Sequence, residues 1–169
     1  AGYYRIESNS AGSLYLGIPD PDPAVITVAD LFAVSSLSIR IPARAARRLL
    51  LEPGGAVGVT QALGALPSKA LADTDEADLR LMEIFYRAVR DSLKRAKATK
   101  PSGAWVTASK IAARKRPDLF PVRDTVVTKF LGTRELADYF TDWTVYRYLM
   151  NDEVVLSDLK RIAGALEGL

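Results

Sequence analysis

Three features that could do chemistry follow one another between residues 100 and 129: a small-residue turn, Pro101-Ser102-Gly103-Ala104, then a cationic helix, then an aspartate, Asp124. A tight turn of this composition directs backbone amides outward, and free amides at the start of a helix attract phosphate. The spacing predicts a helix over 105–115, with Thr107 available to cap it. Lys110 and Arg114 lie four residues apart on one face, and Ala108, Ile111 and Ala112 lie on another. Arg114, Lys115 and Arg116 fall at its C-terminal end, where they could bind phosphate or simply complement the helix dipole. Asp124 also admits two readings. It can cap the helical pattern carrying Val126, Val127, Phe130 and Leu131. Alternatively, an ionised carboxylate beside a cationic surface can stabilise developing positive charge or orient a water.

These residues resemble the helix-hairpin-helix DNA glycosylases. In that superfamily a Leu-Pro-Gly-Val-Gly hairpin and Arg-Lys-Thr-Ala open a helix, and a loop ending in Val-Asp-Thr-His-Val follows. Residues 100–108 fall on the first pattern and residues 124–129 on the second, so Thr107-Ala108 and Asp124-Thr125 match in one register. The resemblance implies a helical glycosylase-like domain with its hairpin at 99–107 and duplex DNA as partner; no cofactor is expected. It implies Asp124 as the catalytic aspartate, with Ser102, Gly103 and Ala104 holding a phosphate through their amides. Val106 stands where some members carry an imine-forming lysine, which implies a monofunctional enzyme that hydrolyses the N-glycosidic bond of a damaged base. Two hairpin glycines are replaced by Ser102 and Ala104, and Arg123 precedes the aspartate. The run Lys-Arg-Pro-x-Leu-x-Pro-Val-x-Asp at 115–124 is closer still to a set of uncharacterised bacterial proteins.

Composition bounds the alternatives. A chain of 169 residues, 49% hydrophobic and 25% charged, suits one domain with a sizeable core. Its net charge of +3 permits nucleic-acid binding without demanding it. The absence of cysteine and histidine removes thiol nucleophiles, disulfides and Ser-His-Asp triads, and makes a zinc or iron-sulfur centre improbable. No apolar run reaches the roughly 18 residues of a membrane span. A cytoplasmic protein with no membrane and no obligate protein partner is expected.

The elements that must position the site read as mainly α. Tyr3 to Ile18 alternates irregularly around Asn9-Ser10-Ala11-Gly12, compatible with a small β hairpin, and Pro19 to Pro23 reads as a stiff linker. Residues 1–23 would then be an extension and 24–169 one helical domain. Thr27 caps a helix through Ile39, and Pro42 starts another ending near Leu51. Pro53 to Gly58 reads as a turn, and Asp73 to Asp78 as the dipole-favoured front of a helix over 76–96 rather than a metal cluster. A helix over 135–150 is rich in aromatics. Trp143 and Tyr146 are candidates to stack on an extruded base, although core packing suits them as well. Ser157 reads as the cap of a last helix. Around the hairpin, Lys110, Arg114, Lys115 and Lys129 are the candidate duplex contacts. The competing readings are a catalytically silent DNA-binding relative and a protein-interaction domain whose basic surface meets an acidic partner.

Overall fold

The computed structural model describes residues 9–20, 22–94, 104–123, 125–136 and 139–167. Among them the regular elements are helices: α1 (Ala11–Gly17), α2 (Val28–Ser36), α3 (Ala43–Leu50), α4 (Pro53–Gly64), α5 (Glu76–Leu93), α6 (Ala104–Lys115), α7 (Thr125–Phe130), α8 (Tyr139–Leu149) and α9 (Glu153–Glu167). The fold is mainly α, as the periodicity indicates.

The spine is the contact face between α5 and α6. On α5 the apolar residues Leu79, Met82, Phe85, Tyr86, Val89 and Leu93 recur at helical spacing and are all buried. Facing them, α6 presents Ala108, Ile111 and Ala112, each fully buried, and its small side chains let the helix lie close. Helices α3 and α4 pack on α5, while α1 packs on α2 and α2 on α6.

Caps fix where the helices begin. Thr27 and Asp30 form a capping box at α2, in which Thr27 N–H donates to Asp30 Oδ2 at 2.8 Å. Asp75 and Asp78 do the same at α5, and Lys69 Nζ donates to Asp78 Oδ2 at 2.8 Å. The acidic run at 73–78 is therefore a helix start, and no group of metal-ligating side chains occurs among the described residues.

Four expectations change. Residues 11–17 form α1 rather than part of a hairpin, because Ser10 acts as an N-cap, its Oγ accepting from Ser13 N–H at 3.2 Å. Residues 1–8 lie outside the described residues. Pro53 opens α4 instead of beginning a turn, since the missing N–H of proline is harmless in a first turn. Gly55 lies inside α4 because α3 comes so close: a Cβ there would meet the Arg48 carbonyl oxygen at 2.5 Å. Thr107 is buried in α6 rather than capping it, since the helix already includes Ala104. Ser157 likewise lies within α9, whose start is capped by Asp152 Oδ1, accepting from Val154 and Val155 N–H.

The C-terminal third closes over the α5–α6 spine. Tyr139 and Trp143 of α8 join Tyr86 and Phe120, with Trp143 edge-on to Tyr86 at 5.6 Å and to Phe120 at 5.4 Å. The Tyr86 hydroxyl donates to the Trp105 carbonyl at 2.8 Å, tying α5 to the first turn of α6. Burial pushes its phenol pKa well up. Helix α7 ends in a Schellman motif, with Gly132 at φ 72° and Thr133 N–H donating to Thr128 O at 2.9 Å. So short a helix buries Thr128 and leaves Val126 and Phe130 exposed.

Candidate functional site

The cations at the C-terminal end of α6 point inward. Lys115 Nζ, with its side chain fully buried, donates to Asp20 Oδ1 at 2.8 Å, to Asp30 Oδ2 at 3.0 Å and to the Asp22 carbonyl at 2.8 Å. Arg114 stacks over the Tyr15 ring and donates to the carbonyls of Tyr15 and Ile18, with Asp30 Oδ1 3.4 Å from its Nε. Arg116 binds both oxygens of Asp118, at 3.1 and 2.8 Å. This basic run therefore fastens the Asp20–Asp22 segment and α2 to α6, and Arg114 and Lys115 present little charge to a ligand outside. The carboxylates that neutralise them lie more than eighty residues earlier, beyond what local spacing reveals.

The other candidates separate. Lys110 is half-buried, with Nζ 3.4 Å from the Leu37 carbonyl, and Lys129 is exposed on α7. Trp143 belongs to the aromatic core, and Tyr146 packs against it. Ser102, Gly103 and Asp124 lie outside the described residues. Ala104 is the first residue of α6 and Thr125 the first of α7.

Ala104 and Thr125 line one cleft of about 560 Å³. Its walls carry Arg90 and Lys94 from the end of α5, Arg123 from the strand of chain before α7, and Arg134 from the turn after it. Trp105, Tyr139 and Thr128 complete the lining. Residues from five segments thus meet at the N-terminal end of α6, the opposite end from the neutralised basic run.

Each cation is held differently. Lys94 pairs with Asp91 at 2.6 Å, and Arg90 Nε lies 3.8 Å from the same carboxylate. That Nε is buried without a hydrogen-bond partner among the described residues, and the Arg90 guanidinium lies 5.8 Å from the Tyr139 ring centre. Arg123 is mostly buried, forms an ion pair with buried Asp142, and covers the Trp105 ring at 4.8 Å. Its backbone N–H donates to Ser109 Oγ at 2.8 Å, which fixes the chain entering α7 against α6. Arg134 is exposed. Burial raises the Tyr139 phenol pKa against the opposing pull of Arg87, so its hydroxyl stays protonated at neutral pH.

Sequence reasoning singled out Arg123 as a charge beside the aspartate but passed over Arg90 and Arg134. Arg90 carried a usable signal, because it stands four residues before Lys94 on the same face of a helix that leads into the turn. Arg134 carried none, since only the brevity of α7 brings it back to the cleft. Chemically, the arrangement can bind an anion with guanidinium and ammonium groups and can seat a flat ring against aromatic and guanidinium planes.

No helix among the described residues is long and apolar enough to cross a membrane. A model of a family described as a family of unknown function (DUF6308) matches residues 2–166. No curated protein and no solved structure matches the chain.

Proposed function

The chain belongs to the DUF6308 family, and we propose that it binds DNA at the cleft between α5, α6 and α7 and acts there as a monofunctional glycosylase. The observation that supports this reading is that the starts of α6 and α7, the two segments carrying the glycosylase-like patterns, line one cleft with four cations and two aromatic rings. Phosphate would be held by Arg90, Lys94 and Arg134, with the amides of Ser102, Gly103 and Ala104 as further donors. Asp124 would stabilise the positive charge that develops on the sugar as the bond from C1′ to the base nitrogen breaks and the base leaves with the bonding electrons, and orient the water that adds to C1′ as hydroxyl while its proton passes to the departing base. Val106 offers no amine, so no imine forms and the strand stays uncut.

The test is turnover of duplex oligonucleotides carrying a panel of damaged bases, with alkali developing the abasic sites. The expected outcome is base release by the intact protein, no strand cleavage before alkali, and loss of release in Asp124→Asn. Salt-sensitive binding without release by any substrate would leave a DNA-binding relative in which Asp124 serves as a cap. Absence of both would overturn the reading.

A further inference from the structure

We propose that α9 pairs with α9 of a second copy of this chain, antiparallel and about a two-fold axis, so that the protein forms a reversible homodimer. No residue of α9 lines the cleft, so the inference goes beyond the DNA reading and does not depend on it.

An uncovered apolar stripe is the first argument. Val155, Leu159 and Ile162 recur at spacings of four and three, and the sequence repeats the step at Leu166. This alternation lines one side of a helix with a coiled-coil seam, while Ser157, Lys160, Arg161 and Gly164 fall on its other sides. Yet α9 buries no described side chain in its own protomer. Leu159 is 52% exposed and Ile162 49%, whereas the apolar stripe of α5 is buried.

Length is the second. A helix of 15 residues is at the limit of what stands alone in water, and Gly164 in its interior lowers its propensity further. Packing of an amphipathic face is what holds such a helix in a protein. Beyond Leu156 every described side chain of α9 is exposed, so that packing has to come from outside the protomer.

Charge selects the occupant and its direction. Asp152, Glu153 and Asp158 stand at the start and in the first half of the helix, and Lys160 and Arg161 follow in the second. A parallel copy would set like charges side by side. An antiparallel copy, with Leu159 facing Ile162 of its mate, brings Asp158 level with position 163 of the mate, about 3 Å along the axis from Arg161. It also opposes the two helix dipoles. The same patch serves both copies, so the assembly closes at two. Within the protomer Asp158 and Arg161 pair at 2.9 Å with both side chains more than half exposed, and the pair can therefore exchange partners between copies.

The experiment is sedimentation equilibrium of the whole chain over a wide range of concentration, which should show monomer and dimer in exchange. Leu159→Lys should weaken the association about tenfold, the effect of losing one central apolar contact, and leave the urea midpoint of the protomer unchanged. Asp158→Arg and Arg161→Asp should each weaken self-association. Mixed in equal amounts, the two variants should form a heterodimer, because each presents to the other the charge its own copies lack. Contacts within one chain cannot produce that recovery. A mass that stays monomeric at every concentration overturns the inference. Dimerisation untouched by Leu159→Lys also overturns it, placing the contact on another face. Leu159→Lys destabilised in urea with its mass unchanged does so too, placing α9 against its own body, and failure of the charge variants to recover each other rejects the antiparallel pairing. None of these readouts involves nucleic acid, so the DNA reading is tested separately.

Discussion

The two ends of α6 carry similar charge in the sequence and opposite roles in the fold. At the C-terminal end, Arg114 and Lys115 are buried against Asp30, Asp20 and backbone carbonyls, and their charge holds the segment before α2 in place. At the N-terminal end, Arg90, Lys94, Arg123 and Arg134 surround an open cleft, and among the described residues Asp91 and Asp142 are the carboxylates that pair with them. A basic run is thus no guide to a basic surface until its carboxylates are found. Here the more concentrated run is structural, and the cations scattered over 90–134 line the cleft.

The contrast breaks most strongly at Asp30, which is fully buried, pairs with two cations and completes the α2 capping box. Asp30→Ala leaves Lys115 and Arg114 without that partner and should cost about 3–5 kcal/mol. Urea denaturation measures the loss, and nucleic-acid affinity of the folded fraction should be unchanged. Trp143→Ala tests the aromatic cluster in the same way. Deletion of a buried indole should cost about 3–5 kcal/mol, with a smaller effect on ligand binding, because the ring packs on Tyr86, Phe120 and Tyr139 and does not itself line the cleft.

Arg134→Ala should do the reverse. Its exposure predicts a stability change within about 0.5 kcal/mol, together with weaker binding and a salt slope reduced by about one. The smallest expected effect lies far from either end of α6. The hydrogen bond from Lys69 holds the Asp78 carboxyl below its usual value of 3.8. A depressed carboxylate pKa stabilises the fold above the unfolded value, and that stability is lost as pH falls through the folded one. Lys69→Met should therefore lose less stability than the parent as pH drops below 3.8, in parallel urea titrations.

Much of the scaffold was legible because local rules and tertiary packing agree. The α5 core spacing, the Thr27 cap and the Pro42 start all follow from nearest-neighbour chemistry. What could not be read depends on distance in sequence or on competing uses of one residue. Ser10 could turn a hairpin or cap a helix, and the packing of α1 against α2 favours the cap. Gly54 and Gly55 suggest a loop until the close crossing of α3 explains the second of them. The site was half legible. The segments beginning at Ala104 and Thr125 do meet, but the burial of Arg114 and Lys115 and the contribution of Arg134 arise only when remote segments are folded together.

The central claim is that the ligand-binding charge lies at the start of α6. Its most direct test is the affinity of a labelled DNA duplex for the parent and for Arg90→Ala with Arg134→Ala, followed across salt concentration. The account predicts weaker binding by the double variant and a slope of log affinity against log salt reduced by about two. An unchanged affinity and an unchanged slope in a folded double variant would contradict it.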